Sequence, residues 1–160
     1  MKKYLWALLC ALSLNAQAQE APHKLLSQWF DPVLQMGTQQ SLDESEDKNP
    51  VYMSCLSAIF NKHVLPEVVP NAVQMVQQAG YADRVKALEQ FLSQPAEQQA
   101  FAQTQVPLKQ LIAGKQWTRA AEFWGQYLEQ MIRRMPTNAQ QGLQYVMSSL
   151  DIPKVLNSKN

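Results

Sequence analysis

The side chains best suited to chemistry in this sequence are few and far apart. Two imidazoles, His23 and His63, and one thiol beyond the N-terminal run, Cys55, are the main candidates. His63 follows Cys55 by eight residues, about 12 Å along a helix axis at 1.5 Å per residue. That separation is too long for a Cys–His catalytic pair within one helix. A zinc site takes three or four ligands at closed spacing, and Cys55, His63 and Glu67 do not form such a set. His63 instead suits a capping or dipole role near the C-terminal end of a helix. There is no His-Glu-x-x-His, Cys-x-x-Cys, Gly-x-Ser-x-Gly or Gly-rich phosphate loop. Glu67, Glu89, Glu122 and Glu129 could serve acid–base work, but all fall on polar helix faces. Asp43, Glu44, Glu46 and Asp47 lack the Asp-x-Asp-x-Asp-Gly order of a calcium loop and read as a solvated acidic loop. No enzyme activity, cofactor or metal is expected.

The remaining distinctive side chains are aromatic. Trp117, Ala121, Trp124, Leu128, Met131 and Met135 recur at spacings of four and three, and Phe123, Tyr127 and Ile132 widen that face. Core packing is the first explanation. A partner or ligand groove is the second, since Trp, Tyr and Met are favoured at interfaces and in adaptable pockets. Its candidate residues are Trp117, Trp124, Tyr127 and Met131. Membrane-surface binding is the third, weakened by the lack of a Lys/Arg excess on the polar face.

The elements that would position these residues are all helical. The apolar share is 46% and the charged share 17%, which suits a folded domain rather than a disordered chain. Strand alternation and Asn-Gly or Asp-Gly hairpin signals are missing. We expect an all-α bundle of five to seven short helices with Pro-defined corners. Asp31-Pro32 and Asn49-Pro50 read as cap-plus-proline helix starts, and Gly37 as the end of a short piece. Val51, Tyr52, Cys55, Leu56, Ile59, Phe60 and His63 share one face, which places Cys55 in the core as an inert thiol. Pro66 and Pro70 interrupt the chain, Gly80 closes a helix, and Asp83 caps the next. Pro107 should kink or break the helix over 96–113, and Gly114 marks a turn. Gly114-Lys115-Gln116-Trp117 with Ala120 and Ala121 resembles a tetratricopeptide hairpin turn. Only one copy is present, so it is read as a generic helix–turn–helix. The next helix spans 116–135, and a last one runs from about Asn138 to Leu150.

The N-terminus carries an address. Lys2 and Lys3 precede an uncharged, mostly apolar run from Tyr4 to Leu14, and Ala16-Gln17-Ala18 is a small-x-small cleavage pattern. This order predicts a secretory signal peptide over 1–18. The run is far shorter than the roughly 20 apolar residues of a membrane span. Cys10 lies inside it, behind bulky Leu8 and Leu9, and would be lost with it. Removing these 18 residues and their two lysines from the 160 leaves 142, with 12 basic against 13 acidic side chains. A net charge so close to zero gives no steering toward nucleic acid. One cysteine would remain, without a partner in its own chain. The predicted organisation is a helical domain over 19–150 and a polar tail over 151–160.

Leu88-Glu89-Gln90-Phe91-Leu92-Ser93-Gln94-Pro95-Ala96-Glu97-Gln98 resembles a family of secreted Gram-negative helical domains of unknown function. Its signature is similar to Phe-Tyr-x-Ser-Pro-x-Gly-Gln. Phe91, Pro95 and Gln98 match, whereas Leu92, Gln94 and Glu97 stand in place of Tyr, Ser and Gly. The similarity covers about twenty residues. It implies an all-helical periplasmic domain and no catalytic residues. The functional expectation is a periplasmic or secreted, non-catalytic binding module. Its partner would be a periplasmic protein or an apolar ligand, as for an immunity protein that blocks a delivered toxin. The alternative is a cell-envelope hydrolase whose carboxylates meet only in the fold.

Overall fold

The computed structural model describes residues 23–45 and 49–150. The expected signal peptide and polar tail lie outside these residues, as do Glu46 and Asp47. The described residues form an all-α bundle without a strand. The helices are α1 (Lys24–Asp43), α2 (Pro50–Ile59), α3 (Leu65–Val76), α4 (Ala82–Leu92), α5 (Pro95–Ala113), α6 (Trp117–Arg134) and α7 (Thr137–Ser149). Short π-helical turns, Phe60–Val64 and Gln77–Tyr81, join α2 to α3 and α3 to α4.

Helix α1 is the central rod and lies against α3, α4, α5 and α6. Helix α7 packs on α3 and α4, and α5 and α6 pair across the turn at Gly114. Leu26, Trp29 and Phe30 of α1 meet Val73 of α3, Leu88 of α4, Leu108 of α5, Met131 of α6 and Leu143 of α7 in one core. Removing these side chains from water drives the assembly, at about 25 cal/mol per Å² of apolar area.

Local signals act at several turns, those at Asn49 and Gly80 as expected. The Asn49 side chain accepts from Val51 N and Tyr52 N at 3.1 and 3.3 Å and caps α2. Pro95 sits in the first turn of α5. Gly80 adopts φ 92°, which stops α3 without a Cβ penalty. At the corner between α4 and α5, Gln98 Nε2 donates to Leu92 O at 2.6 Å and satisfies a carbonyl at the end of α4.

Other expectations are corrected. Helix α1 runs unbroken through Asp31, Pro32 and Gly37. Pro32 is buried with Trp29 and Phe30, so packing outweighs a penalty of about 3 kcal/mol for an internal proline. Helix α5 likewise continues through Pro107, and α3 through Pro70. Pro66 is carried in the first turn of α3, directly after the π turn, where Leu65 N bonds to Phe60 O. The wider turn leaves room for the ring and needs no donor from it. Tyr81, not Asp83, is the cap of α4. Gly114 keeps φ −81°, and Lys115 takes the left-handed conformation at φ 54°.

The largest correction concerns α2. None of its residues is buried, and Val51 and Tyr52 are 77% and 52% exposed. Cys55 is therefore half-buried rather than a core thiol. It is disulfide-bonded rather than the inert free thiol expected.

Candidate functional site

Helix α6 turns its aromatic face inward. Ala120, Trp124, Tyr127 and Met131 are buried, whereas Ala121 is exposed. The stripe is thus centred one residue earlier than Ala121. Trp124 and Tyr127 join Trp29 at ring-centroid distances of 5.0 and 6.5 Å, and Phe101 lies 6.4 Å from each of them. Trp29 Nε1 donates to Tyr127 Oη at 3.3 Å. Burial pushes the Tyr127 phenol above its ordinary value, partly offset by that bond. Trp124, Tyr127 and Met131 therefore serve as core and do not present an outward docking face. Trp117 differs from them, because it is half-buried and lines a surface hollow.

That hollow has a volume of ≈ 370 Å³. Leu42, Met53, Ile112 and Trp117 supply its apolar walls. Asp43 accepts a charge-assisted hydrogen bond from Lys115 Nζ at its rim, so both rim charges are compensated.

A larger cleft of ≈ 560 Å³ opens between α1, α5 and the start of α3. Leu34, Leu65 and Phe101 supply its apolar surface. Gln28 and Asp31 come from α1, Asn61 from the π turn, and Gln98, Gln105 and Lys109 from α5. The spacing of the α5 residues explains the wall: 98, 102, 105 and 109 follow one another at four, three and four residues along one helical face, with Phe101 beside Ala102. Because Phe101 also touches Trp124 and Tyr127, the cleft floor is continuous with the aromatic core.

The cleft carries one carboxylate and one ammonium, Asp31 and Lys109, which make no direct ion pair. Asp31 is half-buried, and among the described residues its carboxylate receives only Gln35 Nε2, at 2.9 Å. Burial holds its pKa above the ordinary value of 3.8, while the Gln35 bond and then the Lys109 charge pull it back. Ser27 Oγ, on the same wall, is buried with no hydrogen-bond partner among the described residues. A half-buried carboxyl with one neutral donor and a hydroxyl with none are groups that a ligand can satisfy.

Two further polar pairs were not legible in the sequence. Glu97, 6% exposed, receives Arg134 Nε and a terminal guanidinium nitrogen, both at 2.9 Å. This bidentate bond raises the Arg134 pKa. His23 Nδ1 lies 2.6 Å from Glu89 Oε1 and ties the start of α1 to α4. Glu89 is therefore half-buried, not on an open polar face. His63 is exposed in the last turn of the π segment that ends at Val64. Among the described residues, no three His, Cys, Asp or Glu side chains gather as a metal site. No described helix is long and apolar enough to cross a membrane.

No family model matches the chain, and comparison with characterised proteins and with solved structures likewise returns no match.

Proposed function

We propose that this chain is an exported, non-catalytic helical binding module that works in the periplasm or outside the cell. Its ligand site would be the cleft between α1 and α5. The single observation that carries this reading is the cleft: ≈ 560 Å³ of concave surface with an apolar floor, carboxamide walls and an undercompensated Asp31. Concave sites with an apolar lining and a few converging polar groups are where proteins hold ligands. The basic–apolar–small order of residues 2–18 supports export. The likeness of Phe91, Pro95 and Gln98 to a secreted helical family points the same way. A toxin-neutralising role is one form this module can take, with the toxin as its single tight partner. Each hollow holds one lining carboxylate among the described residues, Asp43 or Asp31, whereas glycoside hydrolysis by the usual route needs two.

The test uses Ala102, an exposed residue on the cleft wall. Ala102→Trp fills the cleft from its rim while leaving the core residues in place. The mature wild-type protein and this variant are immobilised side by side and exposed to periplasmic extract. A ligand or partner retained by the wild type and lost from a normally folded Ala102→Trp supports the reading. Equal retention by both moves the site elsewhere.

A further inference from the structure

The α1–α5 cleft is open to a sharper reading, which rests on its being the binding site. Its α5 wall runs from Gln98 to Lys109, eleven residues apart. At 1.5 Å per residue that is about 16 Å, the length of about five residues of extended chain. Gln28, Asn61 and Gln105 each offer both a donor and an acceptor along this path. Alternating main-chain N–H and C=O groups make the same pair of demands. Polar side chains on both walls, Gln28 and Asp31 on one and Gln98, Gln105 and Lys109 on the other, interrupt the continuous apolar face that a docked amphipathic helix would need. A ligand that stacks on a ring would need an open aromatic face, but Phe101 is only 9% exposed.

The charge selects among extended peptides. Asp31 sits half-buried on the α1 wall with Gln35 as its one hydrogen-bond donor among the described residues. Lys109 lines the same cleft but makes no ion pair with it within 4.0 Å. Ser27 Oγ adds, one turn away, a hydroxyl without a partner among the described residues. An ammonium or guanidinium arriving from a ligand would give Asp31 the charge-assisted bond it lacks. We propose that the cleft binds an extended peptide segment of about five residues and that Asp31 receives a lysine or arginine side chain of that segment.

The experiment uses the full mature chain and three capped pentapeptide mixtures. The central residue is lysine, its uncharged isostere norleucine, or glutamate, and the flanking positions vary among Ala, Gln, Ser and Val. Binding is read by calorimetry and by tryptophan fluorescence, since the Phe101 floor touches Trp124. The lysine mixture should bind about tenfold more tightly than the norleucine mixture, as expected for one hydrogen bond to a charged group, and glutamate should bind most weakly. Asp31→Asn should erase the lysine preference while keeping the norleucine affinity, and Ala102→Trp should abolish both. Norleucine binding as well as lysine, or a lysine preference that survives Asp31→Asn, overturns the assignment. So does no binding of any mixture. These failures leave the retention comparison with periplasmic extract unaffected, so they are distinguishable from failure of the binding-module reading itself.

Discussion

Asp31 exposes a tension between stability and binding. Burial raises its pKa above the ordinary 3.8, so the folded chain holds the proton more tightly than the unfolded chain does. Its contribution is therefore most favourable below 3.8 and is lost as pH rises through the raised folded value, with no further change above it. Asp31→Asn keeps an acceptor for Gln35 and removes this loss. Urea midpoints should show the variant gaining on the wild type as pH rises out of the acid range, with a constant advantage around neutrality. The Glu97–Arg134 pair predicts an asymmetry. Arg134→Ala strands a buried carboxylate and should cost about 3 kcal/mol. Glu97→Gln leaves a half-exposed guanidinium with access to water and should cost clearly less. Denaturant melts of both variants check the order. Tyr127→Phe takes away the acceptor of the buried Trp29 N–H and should cost about 1–3 kcal/mol in the same assay.

The helices show how far local rules reach. Asn49, Gly80 and Pro95 act at their own turns, and their roles follow from side-chain chemistry and backbone freedom within a few residues. Pro32, Pro70 and Pro107 do not act as breaks, because burial of the flanking apolar side chains outweighs a missing hydrogen bond. The exposed face of α2 makes the same point in reverse: Val51, Tyr52 and Ile59 have helical spacing, yet no described helix covers them. Two glycines separate packing from propensity. A Cβ on Gly142 would lie 2.2 Å from Arg84 O, where α7 crosses α4, while one on Gly125 meets nothing within 4 Å. Gly142→Ala should therefore destabilise by roughly 1–3 kcal/mol or more. Gly125→Ala should stabilise by roughly 0.5–1 kcal/mol, as for any exposed helical glycine. Thermal melts of the pair read both signs.

At the scale of the molecule, the proposed export can be tested directly. Cleavage after Ala18 would make Gln19 the first residue. The N-terminal peptide of protein recovered from a periplasmic extract should start there. A protein that retains residues 1–18 would remove the export proposal. The cleft itself left no mark in the sequence. Asp31, Asn61 and Gln105 carry no shared motif and stand tens of residues apart, and polar side chains without a period look like ordinary surface. Glu97 was hidden in the same way, since its burial depends on Arg134, 37 positions away.

Helical character, the caps and the apolar stripe of α6 could be read from the chain because they arise from interactions three or four residues apart. Which side of that stripe faces inward, which prolines bend to packing, and where a half-buried carboxyl meets a concavity depend on helices distant in sequence docking against one another. Burial and long-range charge pairing come into being only when those surfaces meet.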